Sequence, residues 1–292
     1  MESVTIRVPA TTGNLAAGFD TLGCALSLYN TLAFKKSKTL SFSGCDAAYQ
    51  NADNLAVQAF SAVYRHAGKK MPPVHIDFDT GIPVSRGLGS SAALLAAGAM
   101  AANAMSCAEL PLDVLLALTT GIEGHPDNLA PAFYGGLTAS LMEGNRVFSV
   151  SYSVHPNLHF VTLSPDFHLS THAAREVLPQ RVPHGDAVYN CAHLAVLIKA
   201  LELGDEELIA AALRDRLHQP YRETLIAEYA DVSALARQNG CNAVCISGAG
   251  PTVLCVTADT AFADRMRRAV QSLRHTWQVR DLTVDQAGAR LL

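Results

Sequence analysis

Charge is scarce in this 292-residue chain. Asp, Glu, Lys and Arg supply 16% of it, against about 25% in an average soluble domain. Hydrophobic residues supply 49%. That combination excludes an intrinsically disordered chain, which needs low hydrophobicity and high charge. There is no basic excess either: 22 Lys and Arg stand against 26 Asp and Glu, a net charge of −4. This argues against nucleic acid as a partner, because phosphate backbones are met by a basic footprint. Long apolar runs are missing. The longest, residues 92–102, covers 11 positions and is rich in Ala, where a membrane span needs about 20. The opening MESVTIRVPATT holds no apolar leader core. Paired-cysteine signals are missing too. Cys24, Cys45, Cys107, Cys191, Cys241, Cys245 and Cys255 are odd in number and scattered, with no CxxC. The pair at 241 and 245 has no second pair at zinc-site spacing. Free thiols in a reducing cytosol are expected. These absences predict a cytoplasmic protein with no membrane partner. The length predicts about two domains with a sizeable core.

Periodicity gives the organisation. Apolar and polar residues alternate over 4–8 and 74–79, as in half-buried strands, and another strand is expected over 26–34. Asp53 reads as the N-cap of a helix that runs to about His66 and stops near Gly68. A helix is expected from Ser90 to about Met105, and a second, with Pro111 at its first position, to about Ile122. Residues 136–142 and 146–154 read as a hairpin turning at Glu143-Gly144-Asn145. Beyond it come a strand at 157–164 and helices at 171–178, 186–203, 205–217 and 227–239. Strands at 243–247 and 252–257 flank a glycine turn, and a helix at 260–274 and a strand near 277–284 follow. Helices and strands mix without a regular βαβ period and without repeats. The expectation is an α+β fold with domains at 1–155 and 156–292.

Four dense motifs stand out. Pro83-Val84-Ser85-Arg86-Gly87-Leu88-Gly89-Ser90-Ser91-Ala92-Ala93 lies between a predicted strand and a predicted helix. Glycines let a backbone approach a ligand, and a helix start offers unpaired N–H groups and the positive end of a dipole, which suits phosphate. The lysine of a Walker A loop is missing and the spacing is not that of a dinucleotide loop. A plain glycine turn with a serine N-cap explains the same letters. Glu123-Gly124-His125-Pro126-Asp127-Asn128 packs two carboxylates, an imidazole and an amide into six residues. It suits Mg²⁺ or a positioned nucleophile, or a polar turn. Ser247-Gly248-Ala249-Gly250-Pro251-Thr252 joins two predicted strands, as tight connections often do. Pro9 to Asp20 reads as a surface loop in which Asn14 and Asp20 present acceptors suited to an ammonium group. Arg175 and Arg222, taken alone, read as solvated helix charges.

Together and in this order, the motifs resemble those of the GHMP kinases, and within them the homoserine kinase family. PATTGNLAAGFDTLGCALSLYN is similar to the first family motif, PVSRGLGSSAA to the ATP loop, and SGAGPT to the third motif. EGHPDNLAPAFYGG, STHAAREVLP and HQPYRETLI resemble segments of the homoserine kinases. One departure is visible: the family reads NLGPGFD where this chain has Ala16-Ala17. The resemblance implies a two-domain fold, with a left-handed βαβ unit in the first domain and a ferredoxin-like second domain. It implies transfer of the ATP γ-phosphate to L-homoserine in threonine biosynthesis, by a homodimer.

The same resemblance implies the roles of the residues. ATP would lie over residues 83–93, near Gly248 and Gly250. Asn54 would meet the adenine edge, unless it is a second capping residue. Ser91 and Glu123 would hold Mg²⁺. Arg175 and Arg222 would take the substrate carboxylate and Asp20 and Asn14 its ammonium, with Thr171 and His125 nearby. Asn128 stands where related kinases place an aspartate base, so no side-chain base is expected to be essential; His125 or Asp127 acting as base is the rival. The alternatives are a GHMP kinase for mevalonate or a sugar, and a non-catalytic nucleotide-binding relative.

Overall fold

The computed structural model describes residues 1–144 and 146–292. Asn145, expected at a hairpin tip, lies outside the described residues. The centre of the first sheet is a long antiparallel pair, β1 (Ser3–Thr12) and β2 (Leu22–Lys36), whose register shifts between Pro9 and Ala10. β3 (Ser41–Ser43), α1 (Leu55–His66) and β4 (Val74–Thr80) follow as a βαβ unit: β3 and β4 are parallel neighbours, and β4 pairs antiparallel with β2. α2 (Ser90–Ser106), α3 (Leu112–Glu123) and the short α4 (Leu129–Tyr134) cover the sheet. α2 is apolar on nearly all sides and rich in alanine, as befits a helix buried among α1, α3 and β1. β5 (Leu137–Glu143) pairs with β2 and forms a hairpin with β6 (Arg146–Tyr152).

The second sheet begins with β7 (His159–Pro165). Helices α5 (Thr171–Glu176), α6 (His184–Leu203), α7 (Glu206–Ala212), α8 (Gln219–Arg222) and α9 (Tyr229–Gln238) come next. β8 (Val244–Ile246), β9 (Val253–Thr257), α10 (Phe262–Ala269) and β10 (Trp277–Leu282) complete it. The order β10-β7-β9-β8 is antiparallel throughout. Numbered along the chain this is 4-1-3-2, with helices between the first and second strands and between the third and fourth, the ferredoxin-like pattern. β11 (Arg290–Leu291) then returns to β1. On the way, Asp285 exchanges backbone bonds with Ala25 and Gly136.

The structure corrects several local expectations. The cap of α1 is Asn54, whose Oδ1 accepts from Ala56 N at 2.9 Å, and not Asp53. The start of α2 carries no serine cap: its N-cap is Gly89, with no side-chain bond. The helix expected over 205–217 breaks after Ala212. There Asp215 takes the backbone N–H groups of Leu217, His218 and Gln219, a local alternative that starts α8 instead. The stretch after β1 is no surface loop, since Asn14 and residues 15–17 are buried.

Asn14 (φ 53°) and Ala16 (φ 44°) in that buried stretch, and the half-buried Asp20 (φ 51°) after it, are in the left-handed region. Asn and Asp tolerate it; alanine pays a steric penalty that glycine escapes. Ala16→Gly is therefore expected to stabilise the protein by about 0.5–1 kcal/mol, the relieved strain less the entropy glycine loses. The thermal midpoint checks this, and a downward shift would mean that packing of the Ala16 methyl outweighs its strain.

Candidate active site

A cavity of about 400 Å³ opens where the end of β1, the start of α2 and the α5 and α8 region meet. One wall is the glycine loop. Ser85, Gly87 and Gly89 all have positive φ (54°, 72° and 68°). Concave turns of this kind point successive N–H groups at one spot. The N–H groups of Ser90, Ser91 and Ala92 find no acceptor among the described residues, and the first bond at this end runs from Ala93 N to Gly89 O. The positive end of a 17-residue helix thus faces the cavity bare.

The other motifs hold this loop from behind. Thr11 N donates to Leu88 O at 3.2 Å, and a Cβ on Gly89 would come within 1.9 Å of Thr11 Oγ1. Ser247 Oγ donates to Gly87 O at 2.6 Å, and Gly248 N to Gly13 O at 3.0 Å. A Cβ on Gly13 would in turn meet Asp127 Oδ2 at 2.1 Å. All four motifs therefore touch.

Their members do not all face the cavity. Val84, Ser85, Arg86, Gly87, Gly89, Ser90 and Ser91 line it, with Gly248. Pro83 does not; Leu88, Ala92 and Ala93 are buried in the core. Gly250 lies behind Gly87. Arg86 turns its guanidinium away, donating to Pro165 O at 2.8 Å and Asp166 O at 2.9 Å. Asn54 lines the cavity, but its amide already caps α1 and donates to Tyr49 O. Tyr49, Asn51, Asp53, Leu55 and Leu94 complete that side. No motif in residues 47–53 marked them in advance.

Across the loop, Ser91 Oγ donates to Glu123 Oε2 at 2.5 Å. Two hard oxygens meet there at the cavity wall, a donor set that fits Mg²⁺. Asp127 is fully buried and bonds His125 Nδ1 at 2.6 Å. Asn128 is fixed at both ends, its Oδ1 accepting from Thr11 Oγ1 at 2.8 Å and its Nδ2 donating to Asp127. Asp20, His125 and Asp127 bring ligand atoms within 4.8 Å of one another. His125 and Asp127 spend theirs on each other, and Asp20 spends its own on Arg175.

Arg175 holds both oxygens of Asp20, at 2.6 and 3.1 Å, and this bond raises its pKa against the pull of burial. Asn14 Oδ1 is not a free acceptor: it takes Asp20 N at 2.8 Å. Arg222 is no solvated charge but wholly buried. It donates to Ala174 O at 3.0 Å and Gly248 O at 3.2 Å, yet its Nη2 has no partner among the described residues. Burial, with Arg175 nearby, pulls its pKa down to about 10. Arg175, Arg222 and Thr171 all line the cavity. Phe19 and His218, which pack behind the arginines, were not marked by sequence reasoning.

Comparison with known proteins gives a consistent picture. Residues 54–136 match the family model described as GHMP kinases N terminal domain, and residues 197–274 match GHMP kinases C terminal. The chain is 38% identical over 288 residues to a homoserine kinase of Clostridium botulinum (strain Kyoto / Type A2), covering 98% of this chain and 97% of the relative. It is 40% identical over 288 residues to one of a Synechococcus species, covering 96% and 93%. The crystal structure of homoserine kinase from Cytophaga hutchinsonii superposes with a TM-score of 0.90 at 25% identity, covering 100% of this chain and 98% of that one.

His125 yields a pH test. Burial alone would push its pKa down, but the hydrogen bond and charge of Asp127, with Glu123 adding to them, more than offset this and raise it above 6.5. The stability from the pair is therefore fully present below pH 6.5 and lost as pH rises through the raised value. An NMR titration should place His125 above 6.5, and lower in Asp127→Asn, where the largest opposition to burial is gone and only the Glu123 charge remains to raise it. A wild-type value under 6.5 would contradict this.

Proposed function

Because the chain belongs to the homoserine kinases, a branch of the GHMP kinase family, we infer that its cavity binds ATP along the bare start of α2 and L-homoserine beside Arg222. The enzyme phosphorylates homoserine with ATP. The observation that carries the placement is the buried Nη2 of Arg222, unpartnered among the described residues, in the same cavity as the open N–H groups of Ser90 and Ser91. One end asks for a carboxylate, the other for phosphates. Leaving a charged donor unpaired in the interior is costly, and a ligand carboxylate removes that cost.

Homoserine is a zwitterion with a hydroxyl. Asp20 suits its ammonium and the two arginines suit its carboxylate, so the substrate inserts its opposite charges where Asp20 and Arg175 now satisfy each other. The hydroxyl then faces the γ-phosphate. Its oxygen forms the new bond to phosphorus as the bond to the ADP oxygen breaks, leaving O-phospho-L-homoserine and ADP. Such transfer is loose, so positioning and charge neutralisation carry most of the rate. Asn128, an amide locked by Thr11 and Asp127, positions and does not take the proton, which leaves through the phosphate or water. Ser91 and Glu123 are the residues that would hold Mg²⁺, which neutralises phosphate charge when bound. The resemblance also supports a homodimer in the cytoplasm, and a division into an ATP-binding unit at 1–155 and a second unit at 156–292, of which residues 283–291 return to the first sheet.

A coupled assay of ADP release across L-homoserine, L-serine, L-threonine and mevalonate tests the reading. Homoserine should be strongly preferred, and mevalonate, which has no ammonium for Asp20, should be poor. Preference for mevalonate would overturn the assignment. Within the site, Glu123→Ala should cost about a hundredfold or more in kcat and Asn128→Ala far less. The reverse order would defeat a mechanism without a side-chain base.

A further inference from the structure

His218 is fully buried, and nothing above gives it a role. Its Nε2 lies 2.8 Å from Ala16 O, and a carbonyl can only accept, so Nε2 carries the hydrogen. In the neutral ring Nδ1 is then an acceptor, and Arg222 Nη1 donates to it at 3.4 Å. Burial and Arg222 push the imidazole pKa below its ordinary value, while Asp215 opposes them. Asp215 is itself saturated by Asn190 and three backbone N–H groups. A protonated ring would turn an N–H against the Arg222 guanidinium, so the neutral form is the one that fits.

The Phe19 ring stacks on His218 at 5.2 Å between centroids. The same ring receives Arg222 at 5.1 Å and Arg175 at 5.6 Å. Two cations that repel each other therefore converge on one aromatic ring, which also stacks on the imidazole. With Ala174 O and Gly248 O taking the other Arg222 donors, the His218 contact leaves Nη2 as the free corner of the fork.

We infer that His218, with Phe19 stacked on it, is a positioning residue that holds Arg222 for the carboxylate of the amino-acid substrate and ties that arginine to the Ala16 turn. The inference rests on the homoserine kinase reading and adds to it the group that sets the arginine.

Steady-state kinetics of three variants test it. His218→Phe keeps a ring against Phe19 but loses both hydrogen bonds. It should raise the KM for homoserine by about tenfold or more, with saturated kcat and the KM for ATP within about twofold of wild type. His218→Asn returns an acceptor near the place of Nδ1 and should recover most of the homoserine KM. Phe19→Leu removes the shared face and should shift the homoserine KM in the same direction, and it decides the matter if His218→Phe does not fold. The inference is overturned if the KM values for both substrates rise together, if homoserine KM is unchanged, or if the Asn variant is no better than the Phe variant. Wild-type enzyme that releases no ADP in response to homoserine would instead overturn the functional reading itself.

Discussion

Thr11 and Thr12, at the inner end of β1, are the point on which the site depends. Thr11 props the glycine loop through Leu88 O and fixes Asn128 through its hydroxyl, and Thr12 meets Ser247. Loops distant in sequence are thereby pressed onto one strand end, with glycines wherever a side chain would collide. The consequence is a helix start that stays uncapped in the folded state. Four orphan N–H groups at a helix start are normally met by a side chain or water. Here the surrounding contacts leave three of them without an acceptor among the described residues, and two of these, on Ser90 and Ser91, sit at the cavity wall.

Charge is arranged by the same logic. The cavity gathers three arginines, a histidine and two carboxylates in a protein that has few charges overall, and Asp20 and Asp127 stand against them. Two of these cations are neutralised in pairs: Arg175 by Asp20, and His125 by Asp127. Arg222 is the exception, buried with one nitrogen unmet. A buried ion without a partner is a liability to folding, and it is retained where a ligand completes it. The pairing of Asp20 with Arg175 mirrors an amino acid's own two charges, so an acceptor that lacks one of them leaves one residue of the pair exposed without compensation.

Features set by near neighbours were the ones that could be read in advance. The start of α2 follows from Gly89 and the alanines after it, and the meeting of Ser91 with Glu123 followed from family resemblance. Long-range features were not legible from local pattern; the Ser91–Glu123 contact, 32 positions apart, came only with the resemblance. Arg222 looks solvated in a helical stretch, because its carbonyl partners, Ala174 and Gly248, lie 48 and 26 positions away. β3 and β11 have three and two residues, too few for any period to show. The break before α8 depends on one carboxylate, Asp215, turning back on the backbone. Asn54 rather than Asp53 caps α1, a one-residue difference that pattern alone does not resolve.

The return of residues 283–291 to β1 and β2 means that the ferredoxin-like unit is spliced into the first one and not appended to it. During synthesis the first sheet cannot be completed until the whole insert has emerged. A nascent chain that has made only its first half must leave the flank of β1 unpaired, with the hazards of an open edge. Assembly of the two halves is for that reason a joint event and not a sequence of independent ones.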